Sequence, residues 1–229
     1  MKKIFKNKML KAFALGLILI IPQVAKASGE FDSQKEAYMY GAGLNQNQIQ
    51  EVKNNLGLSD DINKSSVNGA DCQKYLGYKA EDYNMISSVS VKKLPKGSGI
   101  KVEILTPENI TSITQSQYTN AAITSGITDA EIKVASPTKV TGESALVGVY
   151  KSIEMYGEKV NTQSTQTAQE ELGTLKKISE ENENKESFDK DKLDQAVAEV
   201  KQNLKDYKDK NGQTADSEQI QIFIKDALN

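Results

Sequence analysis

Histidine, tryptophan and arginine are absent from this 229-residue chain, and cysteine occurs once. Each absence closes a route. Without imidazole there is no Ser-His-Asp triad, no Cys-His pair and no histidine-ligated zinc. Without guanidinium there is no bidentate recognition of phosphate or carboxylate, because all 29 basic residues are lysine. Without indole the strongest stacking platform for sugars or bases is missing, and the nine tyrosines are scattered. Cys72 has no partner for an intramolecular disulfide, and one thiol cannot build a zinc cluster. In Ala-Asp-Cys-Gln it reads as a small buried apolar residue. No cofactor is implied.

Acidic residues are also missing from the first 27 positions, which carry six lysines. Lys2, Lys3, Lys6, Lys8 and Lys11 precede an unbroken apolar or small run, Ala12 to Ile21, then Pro22 and Ala25-Lys26-Ala27. A basic start, a short apolar stretch and a small-x-small tripeptide make the pattern of a secretory signal. The run of ten residues falls short of the roughly 20 that span a bilayer. The expectation is a signal peptide over 1–27, cleaved after Ala27, and a secreted chain; the alternative is an uncleaved membrane anchor. Beyond Ala27, 23 lysines face 31 acidic residues, a net charge of −8. That balance repels nucleic acid and anionic lipid, so no nucleic-acid partner is expected, and a membrane is one only if the signal stays attached.

The motifs that carry chemistry are fragmentary. Gly142-Glu-Ser144-Ala-Leu146 begins like a nucleophile elbow, but Leu146 stands where the second glycine belongs and no histidine can activate the serine. Ser136-Pro-Thr-Lys139 matches S-x-x-K without its companion motifs. Among the carboxylates no spacing singles out a pair. Asp209, Asn211, Gly212 and Glu218 fall at positions 3, 5, 6 and 12 of a calcium loop whose position 1 is Tyr207. The competing reading ends one helix at Asn211-Gly212 and starts the next with Asp216 and Gln219. No catalytic residue or metal ligand is assigned, and the binding residues are unknown at this stage.

Along the chain, Ala37 to Gly41 reads as a short strand. Asn45 caps a helix with Ile49, Val52 and Leu56 at helical spacing, Ser59 to Ser66 is turn-rich, and Asn68 caps a helix with Cys72, Tyr75 and Leu76 on one face. Ile86 to Leu94 and Ile100 to Ile104 alternate as strands across the turn Pro95 to Gly99, which predicts a hairpin. A small-residue helix over 116–125, a strand over 129–135 and a helix starting at Thr141 follow. In the last, Leu146, Val149 and Ile153 form an apolar stripe, while Ser144, Gly148 and Ser152 line up to let another backbone come close. From Asn161 on, three amphipathic helices are readable from Ala168–Leu175, Leu193–Leu204 and Ile220–Leu228, with the connector Glu180 to Lys190. The fold class is α+β: a small mixed or antiparallel sheet with packed helices over 28–160, followed by a C-terminal helical segment over 161–229.

Three blocks point to a family. Asn109-Ile-Thr-Ser-Ile-Thr, Gln117-Tyr118-Thr-Asn120-Ala-Ala-Ile-Thr, and Val140-Thr-Gly-Glu-Ser-Ala-Leu146 with Tyr150-Lys151 resemble the YpuA-like secreted proteins of Firmicutes, domain of unknown function 1002. The likeness extends upstream through Gly41 to Leu44 and Asp71 to Gly77, covers about 31–157, and thins in the helical tail. The resemblance implies export, a Gram-positive host and a shared fold, and brings no catalytic residue with it. Three functions stay open: a non-catalytic module at the cell envelope, binding a wall polymer, a peptide or an envelope protein; a hydrolase using carboxylates or a Ser-Lys pair; and a protein that self-assembles through its helical tail. The hydroxyls and amides from Thr106 to Thr128 suit a polar ligand or helix caps and turns alike. If the leader is clipped as expected, protein recovered from the medium of an expressing Gram-positive host begins at Ser28 by N-terminal sequencing. Intact precursor dissolved in the cytosol would contradict export.

Overall fold

The structure is a computed structural model, and it describes residues 36–124, 126–184 and 188–227. The leader reading falls on residues outside these. Elements follow in the order β1 (Glu36–Gly41), α1 (Gln46–Asn55), β2 (Asn63–Val67), α2 (Gly69–Leu76), β3 (Ser88–Lys93), β4 (Ile100–Ile104), α3 (Gln115–Thr124), β5 (Ala130–Ala135), α4 (Glu143–Met155), α5 (Thr162–Asn182), α6 (Lys190–Asn211) and α7 (Ser217–Ala227). A 3₁₀ turn, Asp82–Asn84, sits between α2 and β3. The chain is α+β with a mixed sheet. Among the described residues no helix is long and apolar enough to cross a membrane.

The five strands stand in the order β2-β1-β3-β5-β4. β1 and β2 are parallel, β1–β3 and β3–β5 antiparallel, and β4 and β5 parallel. The expected hairpin does not form: β5 lies between β3 and β4. Ile100, Val102 and Ile104 instead align with Ala130, Ile132 and Val134, so the apolar faces match in a parallel pair joined through α3. β2 was hidden in the turn-rich stretch because Asn-Lys-Ser-Ser-Val has almost no apolar alternation; it is an edge strand, held by register with β1.

Alternation along the strands makes two faces. One carries Ala37, Met39, Val89, Val91, Ala130, Ile132 and Val134 and packs against α4 and its neighbours. The other carries Tyr38 and Ala135 beneath Val52 of α1 and Leu56 just after it, with the Tyr38 hydroxyl donating to the Ile49 carbonyl at 3.1 Å. The expected caps form: Asn45 with Gln48 and Asn68 with Asp71 are both reciprocal capping boxes.

α4 is the central helix. Ser144, Gly148 and Ser152 are all buried, and a Cβ on Gly148 would lie 2.6 Å from Val89 Cγ1 and 2.9 Å from Met39 Cβ. The row of small residues lets the helix backbone settle onto β1 and β3. Ion pairs tie α2 to α4: Lys151 Nζ to Asp71 Oδ2 at 2.6 Å, and Lys74 Nζ to Glu154 Oε2 at 2.7 Å.

The C-terminal helices lie against the sheet domain. α5 packs on α2, where Thr165 Oγ1 donates to the Tyr75 carbonyl at 2.8 Å and Gln166 Nε2 to the Lys74 carbonyl at 3.1 Å. These side chains satisfy carbonyls that the end of α2 leaves open. α6 lies along α3, and Leu175, Leu193, Val197, Val200 and Ile224 build a second core.

Gly148→Ala and Gly173→Ala separate packing from helix propensity. Alanine favours a helix over glycine by about 1 kcal/mol. At Gly173 a Cβ meets nothing within 4 Å, so that variant gains stability. At Gly148 overpacking costs about 1–3 kcal/mol and outweighs the gain. Urea unfolding midpoints should therefore move in opposite directions.

Candidate functional site

The segments from Asp71 to Gly77, Asn109 to Thr114, Gln117 to Asn120 and Val140 to Leu146 are far apart in sequence. The fold brings the last three together at the start of α4, while Asp71 to Gly77 lies along the same helix, tied to Lys151 and Glu154. Ile110 forms a parallel bridge with Val140, the Thr111 N–H donates to the Val140 carbonyl at 2.9 Å, and the Ile113 N–H to the Thr141 carbonyl at 3.1 Å. From α3, the buried Tyr118 hydroxyl donates to the Gly142 carbonyl at 2.8 Å. Gly142 has φ 104°, and a Cβ there would lie 2.6 Å from the Tyr118 hydroxyl. Backbone conformation and space both demand glycine.

Gly142, and not the expected Thr141, is the residue that precedes α4, and it has no side chain to cap the helix. The cap comes from elsewhere in the chain. Ser87 Oγ accepts the Ala145 N–H at 3.0 Å and donates to Ser144 Oγ at 2.7 Å; Ser144 Oγ donates to the Ser87 carbonyl at 2.9 Å. Ser144 is 5% exposed. Its hydroxyl closes the helix start against the chain leading into β3, so it is a structural serine.

A mixed cluster adjoins this cap. Thr141 Oγ1 donates to Glu143 Oε2 at 3.1 Å. The Tyr78 phenol lies near Glu143 and Cys72. Burial pushes the Tyr78 phenol well above its usual range, and the negative charge of Glu143 adds to the effect. Tyr118 is raised by the same two causes, burial foremost. Burial likewise pushes the Cys72 thiol up, which suppresses the thiolate a nucleophile needs. Cys72 is thus the apolar packing residue its context suggested. Tyr78 and Glu143 reach the surface, and Tyr83, 70% exposed, stands on the same connection between α2 and β3. A carboxylate and a phenol at such an edge can accept hydrogen bonds, hold a cationic group and support a sugar or peptide plane.

The other residues singled out by sequence lie apart from this cluster. Ser136 is buried, and its hydroxyl donates to the Thr138 carbonyl at 2.7 Å, while Lys139 is exposed. That serine closes a local turn. Asp209 pairs with Lys205 at 3.4 Å, Asn211 Nδ2 donates to the Tyr207 carbonyl at 2.7 Å, and Gly212 ends α6 with φ 68°. Asp216 Oδ1 accepts the Gln219 N–H at 2.8 Å. The helix-end reading describes this segment. Among the described residues no group of three or more Cys, Asp or Glu is placed to hold a metal. In the Thr106–Thr128 run, Thr106 Oγ1 accepts the Ser136 N–H at 2.9 Å, and Thr114 and Gln117 cap α3 reciprocally. Tyr78 and Tyr83 escaped sequence reasoning: they sit in a polar connection with no periodicity, and only the fold aims Tyr78 at Glu143.

Two expected outcomes follow from this geometry. Native protein resists a thiol reagent at Cys72 and reacts on unfolding in urea; rapid native labelling would contradict the burial. Ser144→Ala leaves the Ser87 carbonyl and hydroxyl short of partners and lowers stability by about 1–3 kcal/mol in chemical denaturation.

No solved structure matches the chain. A protein of Bacillus subtilis (strain 168), named "Uncharacterized protein YpuA", is 29% identical over 238 aligned positions, covering 97% of this chain and 79% of that protein. The family described as "Protein of unknown function (DUF1002)" matches residues 40–229, through the helical tail where the resemblance in the central blocks thins. The cluster at the start of α4 and the helices docked around it both fall within that match, and the chain belongs to the DUF1002 family.

Proposed function

We propose that this chain is an exported, non-catalytic binding module at the envelope of a Gram-positive cell, and that the edge formed by Thr141, Glu143 and Tyr78 meets its ligand. Export is supported by the basic and apolar start and the Ala25-Lys26-Ala27 tripeptide. The observation that carries the binding reading is the contrast within one region. The hydroxyls of Ser87 and Ser144 are taken up in holding the fold, and the Cys72 thiol is buried. The Glu143 carboxylate and Tyr78 phenol stand at the edge beside them. That combination favours recognition over turnover. A wall polymer bearing hydroxyl and amino groups suits it, as would a lysine-bearing peptide.

The hydrolase reading finds no support in Ser136, whose hydroxyl is engaged with its own turn. Self-assembly through the tail is less favoured, because α5 docks on α2 and α6 on α3 within the one chain.

Purified wall fragments test the proposal. The full chain should be retained on them, and Glu143→Gln with Tyr78→Ala should weaken retention at least about tenfold, equivalent to about 1.4 kcal/mol. No retention of the unaltered chain would remove the wall polymer as ligand. Full retention by the double variant would move the site elsewhere.

A further inference from the structure

Helix α6 carries one carboxylate into the interior where it lies on α3. Asp194 is wholly buried. Its Oδ2 accepts a hydrogen bond from Thr114 Oγ1 at 3.0 Å, while Oδ1 has no hydrogen-bond partner among the described residues. Thr114 is also the cap of α3: its Oγ1 accepts the Gln117 N–H at 3.2 Å, and its own N–H donates to Gln117 Oε1 at 3.1 Å. One hydroxyl therefore closes α3 and holds α6.

A buried carboxylate faced only by neutral donors is poorly solvated as an anion, and its neutral acid form costs far less to bury. The surroundings offer little compensation. On α6, Lys190 lies one turn earlier with its ammonium donating to the Ser112 carbonyl at 3.3 Å, and Asp191 opposes it. From α3 and its cap, the neutral Thr114 and Gln117 face the carboxyl, together with the positive end of the helix dipole. The charges of α5 near α6 are spent in the Glu171–Lys201 ion pair at 2.8 Å, two turns further along. α7 brings Phe223 against Tyr207 towards the far end of α6. Burial dominates and pushes the Asp194 carboxyl above the usual aspartate range, with the Thr114 bond and Lys190 pulling back.

We infer that Asp194 and Thr114 form a proton-operated clasp: neutral Asp194 keeps α6 docked on α3, and ionisation of Asp194 loosens that docking. α5 has its own attachment through Thr165 and Gln166, so the loosening is confined to α6 and the helix α7 packed on it. The sign follows from linkage. The docked state binds the proton more tightly than the undocked state, in which Asp194 titrates near about 3.9. Docking is therefore strongest below that value, and it weakens as pH rises until the buried carboxyl has ionised.

Hydrogen exchange on the full chain reads this directly. Protection of the α6 amides around Leu193 to Val200, corrected for intrinsic exchange at each pH, is compared from about pH 4 to about pH 8. In the unaltered chain it should fall by about tenfold for each unit by which burial raises the carboxyl. Asp194→Asn keeps the acceptor for Thr114 and should show a flat profile. Thr114→Val removes the donor and should shift the midpoint to higher pH. A decline of the same size in Asp194→Asn overturns the clasp, and so does an unmoved midpoint in Thr114→Val. Protection in α1, remote from α6, should hold across the same range; a parallel loss there means global unfolding and also overturns it.

Discussion

The architecture depends on how closely α4 can lie on the sheet. Gly148 permits van der Waals contact between the helix backbone and the side chains of Val89 and Met39, and no larger residue fits that spacing. Once α4 is seated, Leu146, Val147, Val149 and Tyr150 are buried on several sides. A helix enclosed so fully must have every neighbour in place, which is why α2 and α3 are arranged around it, with C-terminal helices docked in turn on those two. Dense interiors of this kind tolerate little change in volume.

The start of α4 shows the same economy. A glycine in the left-handed region turns the chain sharply, but it cannot cap the helix it begins. Ser87 supplies the missing acceptor from the chain ahead of β3, and Ser144 completes the exchange of hydroxyl hydrogen bonds. The cap is thus a tertiary contact: it forms only when the sheet and the helix have met. The surface left beside it bears Glu143 and Tyr78, so the candidate binding edge inherits rigidity from the most constrained turn of the molecule.

The polar contacts of the C-terminal helices follow a related logic. Thr165 and Gln166 complete the end of α2, and Asp194 takes a bond from the residue that begins α3. Helix ends that would otherwise need solvent are finished by neighbours. The tail is therefore integrated with the sheet domain, in keeping with a family match that runs to residue 229. The polarity of these contacts also makes part of the docking responsive to protons in a way that a purely apolar seam would not be.

Much of this was legible beforehand. The caps at Asn45 and Asn68, the apolar stripes of the three tail helices and the small-residue row of α4 are local patterns, and local hydrogen bonding and periodicity are written within a few residues. The exclusion of imidazole chemistry is a matter of composition alone. What could not be read was pairing at a distance. Pro95 to Gly99 has the composition of a hairpin turn, yet β4 pairs with β5, because matching apolar faces across a crossover outweighed nearness in sequence. β2 was invisible because a polar edge strand exists only by virtue of its partner. The sequence by itself determined the α+β class, the helix ends and the chemistries ruled out, since these depend on residue identity and short spacing. Only the tertiary structure decided the strand order, the cap that Ser87 lends to α4, the approach of Tyr78 to Glu143 and the burial of Asp194, since each arises when residues remote along the chain come into contact and exclude water together.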